Sequence, residues 1–368
     1  MSNKVLNQEP LLRITKRDGM PKLRAWGIRG IAVILSLIVS AAVIFLIVKM
    51  NPLKVYATMV SGAFGSSRKS WITVRDTMML LCVGIALAPA FKMKFWNIGA
   101  EGQILVGGVA TAACMIYLQS LPTWLLFVVI ILASIAAGAL WALLPALFKA
   151  KYNTNETLFT LMMNYVAIQL TSYFVALWEN PYGSNTVGII NKATNRGWFP
   201  SIFGKQYLLN VIIVAVLAVG MYIYLKKSKH GYEITVVGDS ENTARYAGIS
   251  VKKVIIRTML ISGAICGISG FLAVSGASHT ISASTAGGRG FTAIIVAWLA
   301  KFNTITMFVI SLLLVFLEKG ANAIASMYHL NDYASKMITG IILFFILGSE
   351  FFINYKLIVR AKENKEGK

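Results

Sequence analysis

Charge is what this sequence of 368 residues has least of: Asp, Glu, Lys and Arg together make up 13%, about half the share of an average soluble domain. Hydrophobic residues make up 57%, and mean hydropathy is +0.69. That balance excludes an ordinary soluble fold. Cysteine is also scarce: Cys82, Cys114 and Cys266 stand far apart, each in an apolar run, with no CxxC pair. A disulfide framework and a structural metal are therefore not expected. His230, His279 and His329 are isolated and form no HExxH. No GxxxxGK[ST] occurs, since Gly204-Lys205 is followed by Gln and Gly367-Lys368 ends the sequence. The chain thus lacks the loop that cradles a nucleotide's phosphates. A GxSxG nucleophile elbow is missing too. These absences argue against an enzyme, and no cofactor or metal is expected on this chain.

What the sequence does have is long apolar runs, many of them near the roughly 20 residues that carry a helix across a bilayer. Spans are predicted at about 27–48, 73–91, 97–119, 124–148, 156–178, 207–225, 255–277, 291–300, 304–325 and 336–355. The break between the eighth and ninth rests on Lys301 and Asn303. Continuous runs exclude a β-barrel, whose strands alternate. The expected class is all-α, a polytopic transmembrane bundle of about ten spans. The net charge of +21 suggests nucleic acid at first sight. However, Lys and Arg cluster beside spans, at 4–29, 226–257 and 356–368, which is the bias of cytoplasmic segments. Both termini are then cytoplasmic, and no nucleic-acid partner is implied.

The N-terminus does not read as a cleavable signal, because its polar lead is long and run 28–48 exceeds a signal's apolar core. Residues 1–26 are expected as a cytoplasmic segment, 27–355 as one transmembrane unit and 356–368 as a cytoplasmic tail. Within the unit lie an external connection at about 179–206 and a basic cytoplasmic loop at about 226–254.

Polar residues inside the greasy regions are the candidates for function. FWNIGAEGQILVGG (95–108) sets Asn97, Glu101 and Gln103 among glycines where the third span opens. Two readings stand at this point. Asn97 caps the helix and Glu101 complements its positive end, or the stretch is a broken helix lining a polar path. Asn155 or Thr154 can cap the fifth span, with Glu156 in its first turn. Asn164 and Gln169 lie deeper, and bonding to a neighbouring helix is the expectation for Gln169. In the cytoplasmic loop, 238–248 reads as a two-turn helix: Asp239 or Ser240 caps it, Glu241 suits its start, Arg245 follows, and Gly248 stops it. Ala244, Ala247 and Gly248 are read as one small-residue face open to a partner. In the external connection, Lys192, Arg196 and Lys205 are candidate docking charges.

FWNIGAEGQILVGG, ETLFTLMMNYVAIQ, VVGDSENTARYAGISVKKV and MLISGAICGISGFLAVSG together resemble permease subunits of bacterial ABC importers. More narrowly, they are similar to the nucleoside and simple-sugar branch of the branched-chain amino-acid/ribose permease family, including guanosine-type nucleoside uptake permeases. The resemblance implies a multi-pass protein of the bacterial cytoplasmic membrane that moves a neutral polar solute. It implies a cytoplasmic ABC ATPase that uses the ATP, a second permease subunit and an extracellular solute-binding lipoprotein as partners. By the same resemblance Asn97, Glu101, Gln103, Asn155, Glu156 and Asn164 belong to the translocation pathway. Asp239, Ser240, Glu241, Ala244, Arg245, Ala247 and Gly248 then belong to ATPase coupling. The turn Gly287-Gly288-Arg289-Gly290 would be a second helix break matching the first. The rival reading is an ion-coupled secondary transporter using Glu101, Glu156 or Glu350 as a proton carrier.

Overall fold

The computed structural model describes residues 12–17, 20–48, 51–329 and 332–359. The first eleven residues and the tail beyond 359 lie outside them. The chain divides into two compact units, residues up to 63 with those from 317 on, and residues 64–316. Among the described residues, eight helices are long and apolar enough to cross a membrane, and two shorter apolar stretches, Arg289–Leu299 and Gly340–Asn354, accompany them. The protein is an all-α polytopic membrane protein.

In the larger unit, α3 (Ser67–Lys92), α4 (Ala100–Tyr117) and α10 (Val251–Ala273) form the centre. Around them stand α5 (Thr123–Tyr152), α6 (Glu156–Leu177) and α7 (Leu208–Lys227). The apolar stretch of α3 is 89% buried, against 28% in each of α5, α6 and α7. Those outer helices keep residues such as Leu132, Val166 and Val216 exposed, the faces that lipid would cover. Small residues let neighbouring helices touch. A Cβ on Gly267 of α10 would collide with the Ser134 carbonyl of α5, and backbone approach of this kind drives helix association where the hydrophobic effect is absent.

Two short helices follow α7: α8 (Lys229–Asp239) and α9 (Glu241–Tyr246). A five-residue π-turn, Val274–Ser278, ends α10, and α11 (Arg289–Leu299) returns into the bundle. Lys301 and Phe302 take positive φ, and the Asn303 side chain accepts from the Ile305 and Thr306 N–H groups at 3.0 and 3.3 Å. This cap starts α12 (Thr304–Tyr328) and separates it from α11 where the charge and amide interrupted the apolar run.

The smaller unit holds α1 (Lys22–Val48), α2 (Pro52–Phe64), the end of α12, α13 (Asp332–Asn354) and two strands. Arg29 of α1 bonds Glu350 of α13 through Nη2 and Nε at 2.6 and 2.9 Å. Strand β1 (Leu12–Lys16) pairs antiparallel with β2 (Tyr355–Val359), Ile14 opposite Leu357. This ribbon adds strand pairing to the two end segments, for which the sequence reading gave no secondary structure. Its partners lie at opposite ends of the chain, so no local pattern announces it. α2 is a second addition: Pro52 at its first position is compatible with a helix start, but thirteen residues are too few to read as a span. The helices α1 and α3 begin at Lys22 and Ser67 rather than 27 and 73. The Ser66 hydroxyl accepts from the Lys69 N–H at 3.2 Å and caps α3, a polar start that a hydropathy reading passes over.

Candidate functional site

The stretch 93–99 leaves α3 at Lys92 and turns back into the bundle without forming helix, and α4 starts only at Ala100. Its side chains are used to hold that irregular backbone. Asn97 donates from Nδ2 to the Ser262 hydroxyl at 3.2 Å, midway along α10, while its Oδ1 accepts from the Gly99 N–H and Gln103 Nε2 at 3.0 and 3.3 Å. Asn164 of α6 spans the break. Its Oδ1 accepts from the Gly102 N–H at 2.8 Å, and its Nδ2 donates to the Ile98 carbonyl at 2.9 Å. The Thr160 hydroxyl accepts from the Ile98 N–H at 3.1 Å. Asn97, Gln103 and Asn164 are at most 1% exposed. Backbone that is neither helix nor strand must find such partners when buried.

Glu101 joins this break to the second. Its carboxylate accepts from the Gly288 N–H at 2.7 Å and the Gly290 N–H at 2.8 Å, both at the start of α11. The same side chain sits in the first turn of α4. Two helix N-termini, each carrying partial positive charge, therefore meet on one carboxylate that is 7% exposed. Gly288 has φ +73°, and a Cβ on Gly290 would strike the Glu101 backbone, so glycine is required at both. Arg289, between them, reaches Asp76 of α3 at 3.7 Å.

The structure thus brings together Asn97, Glu101, Gln103 and Asn164, and leaves two expected members outside. Asn155 is exposed at the start of α6, where its side chain caps the helix by accepting from the Leu158 N–H at 3.1 Å. Glu156 pairs with Lys149 at 2.9 Å. Gln169 corrects the expectation of an inter-helix bond, because it is exposed. Five residues turn a helix by about 500°, so Gln169 points roughly away from the face that Asn164 presents to α4. Thr160, Ser262 and Asp76 were missed by sequence reading. Single polar residues in apolar helices give no signal until a neighbouring helix supplies their partner.

The 226–254 loop also differs in detail. Asp239 ends α8, and Ser240 alone caps α9, accepting from the Thr243 N–H at 3.2 Å. Glu241 pairs with Arg245 at 3.5 Å on an exposed face. Gly248 has φ +74° and stops the element. Ala244 is fully buried within the chain, whereas Ala247 and Gly248 are exposed, so the three small residues do not share one open face. Tyr246 is 94% exposed. α8 is anchored by Glu233 to Arg257 of α10 at 2.8 Å, and this bond holds the Glu233 carboxyl below its ordinary pKa.

At the other end of the bundle, the connection 178–207 lies over the π-turn. The Phe199 N–H donates to the Ser275 carbonyl, the Ser275 hydroxyl donates to the Gly197 carbonyl, and Trp198 stacks on His279 at 3.9 Å. Of its expected docking charges, Arg196 is turned onto the α4–α5 turn, donating to the Gln119 and Leu121 carbonyls. Lys205 lies 5.6 Å over the Trp71 ring, and Lys192 is exposed.

Residues 69–347 match the family described as branched-chain amino acid transport system / permease component. The chain is 33% identical over 296 residues to the guanosine ABC transporter permease protein NupP of Bacillus subtilis, covering 79% of this chain and 84% of that protein. It is 27% identical over 363 residues to the glucose ABC transporter permease protein TsgB13 of Haloferax volcanii, covering 94% and 93%. The nucleoside ABC transporter permease protein NupB of Lactococcus lactis is 27% identical over 333 residues, covering 88% and 91%. No solved structure matches.

Proposed function

The chain belongs to the family of branched-chain amino acid transport system permease components, and from that membership we propose that it is the membrane-spanning permease subunit of an ABC importer for nucleosides. It is a multi-pass protein of the cell membrane. Two of the three relatives above are named for guanosine or nucleoside, the third for glucose. A neutral polyhydroxylated solute is common to both names.

The observation that carries a transport role in the fold is the meeting of two interrupted segments on Glu101. Paired helix breaks inside a bundle are where permeases handle polar solutes. Asn97, Gln103 and Asn164 act with Glu101 by fixing the walls of that break, and Asn155 and Glu156 by setting the cytoplasmic mouth of the path. The chain carries no phosphate-cradling motif, so ATP is used by a cytoplasmic ATPase subunit. A short helix, α9, with Tyr246, Ala247 and Gly248 exposed, suits contact with that subunit. A second permease subunit and an extracellular solute-binding lipoprotein complete the assembly. An ion-coupled mechanism has less support, because Glu101, Glu156 and Glu350 each already hold fixed partners.

The test is reconstitution of the chain with those partners and uptake of labelled guanosine and glucose. Guanosine accumulation that needs both ATP and the binding protein is expected. Uptake that survives ATPase removal and collapses with an ionophore would favour the secondary transporter.

A further inference from the structure

Next to Arg289, at the end of the bundle covered by the 178–207 connection, lies a cavity of about 320 Å³ between α3, the π-turn and the loop 278–288. Its walls carry Arg75, Arg289 and the hydroxyls of Ser282, Ser284 and Thr285, with Met79 as the largest apolar group. The volume sits at the small end of the roughly 300–1,000 Å³ typical of small-molecule sites. Neither a carboxylate nor an aromatic ring lines it among the described residues.

The two guanidiniums are held from behind by one acid. Asp76, 5% exposed at its side chain, takes Arg75 at 2.8 Å and Arg289 at 3.7 Å, and Arg75 also lies 4.6 Å over the Tyr207 ring. Arg75 is held closely and Arg289 more loosely, its Nη1 also donating to the Thr285 carbonyl at 3.5 Å. Both heads keep N–H groups to spare, since each guanidinium has five. The hydroxyls are organised as well: the Ser282 N–H donates to Thr285 Oγ1 at 2.8 Å, and the Ser282 and Ser284 hydroxyls lie 3.1 Å apart. Hydroxyl oxygens both donate and accept. A wall of guanidinium alone would select anions, whereas guanidinium beside hydroxyls suits a ligand whose groups do both. The start of α11 offers no competing anion site, because Glu101 already takes its Gly288 and Gly290 N–H groups.

We propose that this cavity holds the vicinal hydroxyls of the transported solute, the ribose diol of a nucleoside, as a station on the outer half of the path. The assignment rests on the nucleoside reading above. Sugar oxygens accept from Arg289 and Arg75, and sugar hydroxyls donate to Ser282, Ser284 and Thr285. The base stays outside, for want of an aromatic surface to stack on.

Ser284 is exposed in the cavity, so Ser284→Cys gives a thiol there, against native cysteines of which Cys82 and Cys266 are buried. The assembled transporter carrying this substitution, in right-side-out vesicles, is labelled with an impermeant maleimide; labelling of the unsubstituted transporter is subtracted. Guanosine should slow labelling several-fold, while 2′,3′-dideoxyguanosine and free guanine leave it unchanged. Ser282→Ala should weaken the guanosine protection without altering the dideoxy result. Equal protection by guanosine and its dideoxy analogue, or none by either while the transporter still takes up guanosine, overturns the assignment and leaves the nucleoside reading standing. Stronger protection by guanosine monophosphate than by guanosine replaces the diol with an anion and also overturns it. Absence of any guanosine uptake removes the nucleoside reading and this inference with it.

Discussion

Glu101 shows how a single side chain can fix two elements. Its carboxylate takes two N–H groups that face away from water, and hydrogen bonds to a charged group contribute about 1.5–3 kcal/mol each, more than neutral ones. Glu101→Gln presents an amide N–H₂ to one of those donors and removes the charge that both helix starts share. Its melting temperature in detergent should fall and its uptake with it; a variant that melts like the parent would show the carboxylate is no clamp. Asn164 and Gln169 make a contrast on one helix. Asn164→Ala leaves the Gly102 N–H and Ile98 carbonyl buried without their partner, a penalty of about 1–3 kcal/mol for each group. Gln169→Ala, on an exposed face, should stay within about 0.5 kcal/mol. Thermal unfolding of the two variants side by side measures the difference.

α8 and α9 are short, and short helices depend on their caps and on what they pack against. Ser240→Ala removes the only side-chain cap of α9 and should destabilise it by about 1 kcal/mol. Faster amide exchange over Glu241–Tyr246 would register it. Ala247→Arg and Ala244→Arg are not equivalent. The first lies on an exposed surface and should leave insertion intact while the ATPase is lost on co-purification. The second forces a long charged chain into a buried position and should lower the amount of folded protein. If Ala247→Arg retains the ATPase and transports normally, α9 is not the coupling contact. α8 adds a pH dependence. Because Arg257 depresses the Glu233 pKa, the bond contributes fully above the ordinary carboxylate value of 4.5 and is lost as pH falls through the lower folded value. Exchange over Lys229–Asp239, corrected for the intrinsic pH effect, should rise on acidification, and Glu233→Gln should flatten that response.

On the scale of the whole molecule, sidedness is the property that every functional statement needs. From the charge distribution we expect the 226–254 loop inside and the 178–207 connection outside. Asn195→Cys and Tyr246→Cys test it at two exposed positions. An impermeant thiol reagent should label the first in intact cells and reach the second only after permeabilisation. The reverse pattern would invert the topology and with it the outward placing of the arginine-lined cavity.

Hydropathy and charge, which are properties of the chain taken alone, determined the all-α membrane class and the approximate place of the long helices. They also located the break at Lys301–Asn303 and the glycine-rich segments where helix stops. Local chemistry narrowed the caps to Asn155 or Thr154 and to Asp239 or Ser240, since a cap and its N–H lie three residues apart, and the structure selects Asn155 and Ser240. The tertiary structure decided everything that needs a partner distant in sequence. Glu101 reads from its neighbours as a residue beside its own helix dipole, and only the fold brings Gly288 and Gly290 onto it. Asp76 becomes the shared anchor of two arginines for the same reason, and β1 finds β2 across nearly the whole chain. Ala244 looked open because helix periodicity says which residues share a face, but not whether the protein itself already covers that face.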